Sequence, residues 1–151
     1  MLRKLLGLKP KASIYSQAMP QTEGALELTY LGTAGFILKN KQRTVVLDPY
    51  LSRVGVTELF RPLHTNTALL KKYIPHADDV LIGHAHYDHI LDAPDLCKQT
   101  GARLIGSKAT CMVGRAAGLP ESQLKETAGR EDIACGSWTV RGLPSIHGKA
   151  I

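Results

Sequence analysis

The hydrophobic pattern divides most of the chain into short strands and helices. Apolar stretches at residues 26–31, 35–39 and 43–47 predict three successive strands, with a hairpin turn at Asn40 and Lys41. A helical period at 65–73 predicts a short helix capped by Thr65 or Asn66, after an irregular loop at 50–63. The later elements are a strand at 80–83, a helix at 87–98, a strand at 102–105, a helix at 108–117, and strands at 132–133 and 137–143. This alternation predicts an α/β layer.

The first 24 residues differ from the rest, and we expect a tail and lead-in at 1–24 followed by one domain at 25–151. Much of the net charge of +6 lies in this tail, at Arg3, Lys4, Lys9 and Lys11. Its apolar stretch is interrupted and too short for a signal peptide or a membrane span. Either a solvated tail or weak contact with a membrane surface fits the leucines and lysines.

Composition indicates a globular intracellular protein. The hydrophobic fraction is 44% and the charged fraction 21%, which is typical of a chain with a packed core. Three cysteines without a CxxC pair indicate small buried side chains in a reducing compartment, and hence the cytoplasm, with membrane-peripheral attachment as the alternative. The remaining positive charges are scattered and aromatics are only 5%, so no nucleic-acid partner is expected.

Residues 84–89 concentrate metal-binding side chains. The sequence His-Ala-His-Tyr-Asp-His places four potential ligands, His84, His86, Asp88 and His89, within six positions. Imidazole and carboxylate donors suit zinc, manganese or iron. His64 and His76 are isolated by comparison, and we expect structural or exposed roles for them, with approach to a substrate as the alternative for His64.

The spacing of this cluster fits a loop between a strand and a helix. On an extended segment side chains alternate, so His84 and His86 are predicted to point the same way. Asp88 and His89 follow where the helix begins and can face a second point nearby. The loop is therefore predicted to serve two adjacent metal ions.

The cluster resembles the HxHxDH signature of the metallo-β-lactamase-fold hydrolases. Other segments are similar to that family, namely the glycine turn at 32–35, the strand at 45–49 ending in Asp48 and Pro49, and the segments at 129–131 and 138–148. The resemblance covers about residues 26–151. It is closest to the branch of sugar-phosphate lactonases and N-acyl phosphatidylethanolamine phospholipase D.

The resemblance implies a role for each matching residue. His84, His86 and His147 would hold one metal, and Asp88 and His89 the other, with two zinc ions favoured over manganese or iron. Asp88 would also orient the attacking water. Asp48 would support the ligands from outside the metal's own coordination shell.

The family pattern also implies two later ligands, an aspartate and a histidine, which are absent because the sequence ends four residues after His147. We therefore expect residues 25–151 to form the first half of a four-layer αβ/βα metallo-β-lactamase fold, leaving an apolar sheet face exposed. We expect these residues to be the N-terminal portion of a longer enzyme; the alternative is that a second chain completes the fold.

The functional expectation is a metal-dependent hydrolase that uses a metal-activated water on an ester, lactone or phosphodiester, with a small-molecule or lipid-like substrate. Two alternatives remain open. One is an iron-dependent oxygenase of the same fold acting on sulfur compounds, and the other is a catalytically incomplete half-domain that only binds metal. His86 argues against the flavin-linked di-iron branch, which usually has glutamate at that position.

Overall fold

A computed structural model describes residues 24–55 and 60–144, so most of the predicted tail and the predicted ligand His147 lie outside the described residues. Six strands in this part of the chain form one sheet in sequence order. They are β1 Glu27–Gly32, β2 Gly35–Lys39, β3 Thr44–Leu47, β4 Asp79–Leu81, β5 Arg103–Gly106 and β6 Leu124–Glu126. Strands β7 Asp132–Cys135 and β8 Trp138–Arg141 form a separate hairpin.

The sheet changes from antiparallel to parallel pairing at β3. Strands β1 to β3 pair antiparallel, whereas β3 to β6 pair parallel. Strand β1 therefore runs in the same direction as β3 to β6. We call the edge where these strands end the carboxyl edge; it also carries the turn between β1 and β2. In parallel sheets this is the edge where ligand sites form.

Helices cover one face of the sheet. They are α1 Thr67–Tyr73, α2 Tyr87–Ile90, α3 Ala93–Thr100 and α4 Lys108–Ala116. The main core cluster joins this face to the helices and includes Val46, Val80, Leu104, Leu70 and Leu96, all fully buried. Within the described ranges, no helix is long and apolar enough to span a membrane. The sheet with helices packed on one face confirms the predicted α/β layer.

The opposite face of the sheet is covered only in part. The β7–β8 hairpin packs there, where Ile133 and Cys135 form a second cluster with Ile105. At the other end of the same face, Leu28 and Tyr30 of β1 are 61% and 62% exposed. Apolar side chains of β1 are therefore exposed on this face.

One sequence prediction of secondary structure is wrong, and one strand was missed. The predicted helix at 87–98 is two helices, α2 and α3, because Pro94 lies at the start of α3, where its missing N–H is tolerated only in a first turn. Strand β6 was not predicted, because its three residues Leu-Lys-Glu are too few to show alternation. The cap at Asn66 is confirmed: its side chain accepts a hydrogen bond from Leu69 N.

A buried ionic cluster lies at the edge of the sheet opposite the carboxyl edge. Asp79, the first residue of β4, is fully buried. Its Oδ2 lies 2.7 Å from Arg43 Nη2, and its Oδ1 lies 2.6 Å from Arg103 Nε. The hydrogen bond with Asp79 raises the pKa of Arg43. The cluster connects three strands and reaches the hairpin, because Arg103 Nη2 donates to Ala134 O at 2.9 Å.

The three cysteines, Cys97, Cys111 and Cys135, are free thiols and buried, as the sequence predicts. Burial raises the pKa of Cys97 to about 12 and also raises the pKa of Cys111 and Cys135. All three thiols are therefore neutral near pH 7, where a thiolate would be needed for metal binding or nucleophilic attack.

Candidate metal centre

The histidine turn lies at the carboxyl edge, directly after β4. Ile82 N donates to Ile105 O at 2.9 Å, which keeps the chain extended past the last residue of the strand. His86 has extended backbone angles, φ −79° and ψ 152°, and α2 begins at the next residue. The predicted loop between a strand and a helix is confirmed, and it brings the four predicted ligands to one edge of the sheet.

The three imidazole rings of this turn are packed together. The ring centroids of His84 and His86 are 4.5 Å apart, and those of His84 and His89 are 3.9 Å apart. His84 Nε2 lies 3.0 Å from His86 Nδ1, so one ring donates a hydrogen bond to the other. His84 thus contacts two other imidazoles, which is an unusual arrangement for a surface turn and places several ring nitrogens close together.

Asp48 links the end of β3 to this turn. Its Oδ1 accepts a hydrogen bond from Gly83 N at 2.7 Å, and its Oδ2 lies 3.1 Å from His89 Nδ1. Its φ of 40° is in the left-handed region, which costs roughly 1–3 kcal/mol for a residue other than glycine and persists only where the surroundings fix it. A β-carbon on Gly83 would lie 3.1 Å from Asp48 Oδ2, so the glycine leaves room for this approach.

His89 has a buried nitrogen without a hydrogen bond. Although His89 Nδ1 is 3.1 Å from Asp48 Oδ2, the two are not aligned for a hydrogen bond, and Nδ1 has no other partner among the described residues. A small rotation of the His89 ring would align the two atoms for a hydrogen bond. Nε2 of His89 then faces Asp88 Oδ2 at 3.8 Å. That separation is short enough for both atoms to bind one ion, since each ligand would lie about 2.0–2.2 Å from it.

The imidazole nitrogens and carboxylate oxygens of the turn are chemically suited to a divalent metal. The described residues alone do not form a complete metal site. Within residues 24–55 and 60–144, no group of three His, Cys, Asp or Glu side chains is arranged to hold an ion. Two nitrogens bound to one tetrahedral zinc at about 2.0–2.1 Å lie about 3.3 Å apart, and the His84 and His86 nitrogens are at 3.0 Å. A shift of a few tenths of an ångström would turn this hydrogen-bonded pair into two ligands, provided that the proton between them moves to the other nitrogen of its ring.

The loop after Asp48 forms the rim of the site and contains residues that the sequence did not single out. Tyr50 is buried, and its ring packs edge-on against Tyr87 with centroids 6.1 Å apart. Burial raises the pKa of Tyr50, and the hydrogen bond from Val54 N partly offsets that effect. Arg53 donates from Nη2 to Leu31 O at 2.9 Å and so covers the turn between β1 and β2.

A cleft of about 310 Å³ lies beside Tyr87, on the helical side of the turn. His64 lines it, together with apolar side chains of α2 and α4 that include Ile90 and Val113. The position of His64 next to the histidine turn is compatible with the expectation that it approaches a substrate. His76, in contrast, is 63% exposed and pairs with Asp78 at 3.4 Å, away from the site.

Comparison with known proteins agrees with the fold. Residues 43–151 match the Beta-lactamase superfamily domain. The chain is 33% identical, over 138 residues, to a UPF0173 metal-dependent hydrolase of Thermodesulfovibrio yellowstonii, and the alignment covers 85% of this chain and 48% of the relative. The chain thus spans about half the length of the curated relatives it matches.

Two solved structures are similar to the chain. Igni18, a metallo hydrolase from Ignicoccus hospitalis, has a TM-score of 0.52 and 25% identity, covering 72% of this chain and 42% of that one. CmlA, a diiron β-hydroxylase from Streptomyces venezuelae, has a TM-score of 0.61 and 24% identity, and the match covers 96% of this chain and 29% of that one. The predicted metallo-β-lactamase type of fold is confirmed. Because the matched region runs from β3 through Asp48 and the whole histidine turn to the last residue, the chain belongs to the beta-lactamase superfamily.

Proposed function

We propose that this chain carries the metal-binding portion of a metal-dependent hydrolase that cleaves an ester, lactone or phosphodiester with a water molecule. The observation that carries the proposal is the packing of His84, His86 and His89 into one cluster, with the Asp48 carboxylate against the third ring. The names of its relatives as metal-dependent hydrolases support the same chemistry.

We assign the ligands to two positions. His84 and His86, whose nitrogens are 3.0 Å apart, would share one ion with His147, and Asp88 with His89 would hold a second. A divalent cation bound there supplies Lewis acidity, which lowers the pKa of a water and polarises a carbonyl or phosphoryl oxygen. Zinc in both positions is our first choice because of the imidazole ligands, with manganese or iron as alternatives.

The side chains have separate tasks in this proposal. Asp88 is half-buried, and its carboxylate can accept a hydrogen bond from the attacking water and so orient it. Asp48 holds the His89 ring, so that Nε2 rather than Nδ1 is available as a ligand. None of the three cysteines is placed to act as a nucleophile, since all are buried neutral thiols.

We further propose a substrate class, partners and a cellular location. The branch of sugar-phosphate lactonases and phospholipase D is our first choice, with a small or lipid-like substrate and no nucleic acid. We place the protein in the cytoplasm, with the basic tail at 1–24 offering weak contact to a membrane surface. The uncovered apolar side chains of β1 support packing on a further element, either later residues of a longer chain or a second chain.

A second candidate is an iron-dependent oxygenase. The mixed nitrogen and oxygen donors of the turn also suit iron, and CmlA shows that a diiron hydroxylase can have this fold. The third candidate is a half-domain that binds metal without turnover, which the incomplete ligand set of the described residues favours.

The proposal is tested by measuring hydrolysis of an ester, a lactone and bis(p-nitrophenyl) phosphate by the chain loaded with zinc, manganese or iron. We expect hydrolysis of at least one substrate, and we expect a chelator to abolish it. Asp88→Asn should lower kcat by at least about 100-fold, since it removes the group that orients the water.

Asp132→Asn is the control for that substitution, because Asp132 is an exposed aspartate on the hairpin that pairs with Arg141 and should leave kcat unchanged. A rate that persists after metal removal would contradict the proposal. Bound metal without hydrolysis of any of the three substrates would favour the half-domain instead, and oxygen consumption with iron alone would favour the oxygenase.

A further inference from the structure

We infer that Asp92 is a positioning residue that sets the affinity of the metal centre, although it is not itself a ligand. Its carboxylate binds the loop that follows Asp48 and thereby keeps Asp48 against His89. This inference rests on the proposed function, because the property it concerns is metal affinity.

The Asp92 carboxylate is fully buried and satisfied by one loop. Its Oδ2 accepts hydrogen bonds from Leu51 N at 2.6 Å and Ser52 N at 2.9 Å, while its Oδ1 accepts one from the Ser52 hydroxyl. A buried carboxylate is tolerated only where strong donors replace its water. All three donors come from residues some forty positions earlier in the chain.

The Asp92 carboxylate does not cap α3. It occupies the residue before α3, where an aspartate side chain ordinarily caps the first turn, yet it makes no capping hydrogen bond. The side chain is turned to the loop instead. The arrangement therefore serves the connection between the loop and the histidine turn rather than the start of α3.

This contact runs parallel to the contact between Asp48 and His89. Asp48 and Leu51 are three residues apart at the start of the loop. His89 and Asp92 are also three residues apart, at the end of the histidine turn and just after α2. Two contacts between the same two segments fix their relative orientation as well as their distance. If the second contact is lost, the loop can rotate and Asp48 no longer faces His89 Nδ1.

The connection continues to α1. The Ser52 hydroxyl also accepts a hydrogen bond from Asn66 N at 2.6 Å, and Asn66 caps α1 through its own side chain. Ser52 is therefore fixed from two sides. The loop is held by residues outside the metal centre, so its position does not depend on a bound ion.

The test is the dissociation constant for zinc, measured by competition with a chelating dye at a temperature where every variant is folded. Under that condition a loss of global stability alone does not change the constant. We expect Asp92→Asn to raise it at least about tenfold, as is common when an outer partner of a metal ligand is lost, and Ser52→Ala to raise it by less. Asp95→Asn, three residues later in α3 and paired with Lys98 at 3.4 Å, should leave it unchanged.

A second measurement is the side-chain NMR signal of the His89 imidazole in the metal-free chain. It should shift in Asp92→Asn and in Ser52→Ala but not in Asp95→Asn. Equal zinc affinity and an unchanged His89 signal in the Asp92 and Ser52 variants would overturn the inference and leave the proposed function intact. If the wild-type chain itself binds no zinc, both the proposed function and the inference are wrong. Should Asp92→Asn not fold, Ser52→Ala decides the question alone.

Discussion

Replacing both His84 and His86 with alanine is expected to reduce the metal content of the purified chain from at least one ion to a small fraction of one. These residues supply two of the three ligands assigned to the first metal, and their ring nitrogens already lie 3.0 Å apart. The ligands that remain in this proposal, His147 in the first position and Asp88 with His89 in the second, are too few to hold either ion at the affinity needed to survive purification. Elemental analysis by mass spectrometry, after dialysis without chelator, measures the effect.

The matched control removes two other imidazoles. His64→Ala together with His76→Ala changes the same number and type of residues, and neither belongs to the ring cluster. The control should retain the wild-type metal content. Wild-type retention in the His84 and His86 double variant would show that any bound metal lies elsewhere.

The second large expected effect is a loss of folding stability. Asp79→Ala removes the carboxylate that is shared by Arg43 and Arg103 and should lower the free energy of unfolding by about 3 kcal/mol. The loss stays at the lower end of the range for buried ion pairs because the arginine side chains are 23% and 35% exposed and regain some hydration. Urea denaturation followed by circular dichroism measures the change.

An ion pair of similar length but different burial provides the comparison. Arg141 Nε lies 2.6 Å from Asp132 Oδ1, and both side chains are more than half exposed. Asp132→Ala should therefore have a much smaller effect than Asp79→Ala, because exposed pairs add little to stability. Similar losses in the two variants would mean that burial does not determine the contribution of the Asp79 cluster.

The histidine turn could be predicted because its ligands are neighbours in sequence. The strand before it, the start of a helix at Tyr87 and the placement of His84 and His86 on the same side are local properties, and the structure reproduces each of them. The roles assigned to the individual ligands, in contrast, came from the family resemblance and stay predictions. His147 lies outside the described residues.

The contacts around the turn could not be predicted, because they join distant segments. Asp48 meets Gly83 and His89 across more than thirty residues, and Asp92 binds main-chain N–H groups, which every residue has and no sequence pattern reveals. The break between α2 and α3 was missed although Pro94 signalled it, since the apolar period continues through the break. Local patterns thus predicted the elements, and the tertiary hydrogen bonds that orient the site required coordinates.

The most direct test of the metal centre is X-ray absorption spectroscopy of the zinc-loaded chain. We expect a first shell of nitrogen and oxygen at about 2.0–2.1 Å, with the scattering pattern of imidazole and no sulfur near about 2.3 Å. The His84→Ala and His86→Ala double variant should bind too little zinc to give this spectrum, and any zinc that it keeps should have fewer imidazole neighbours. A sulfur shell, or a spectrum identical in the double variant, would contradict the assignment of the metal to the histidine turn.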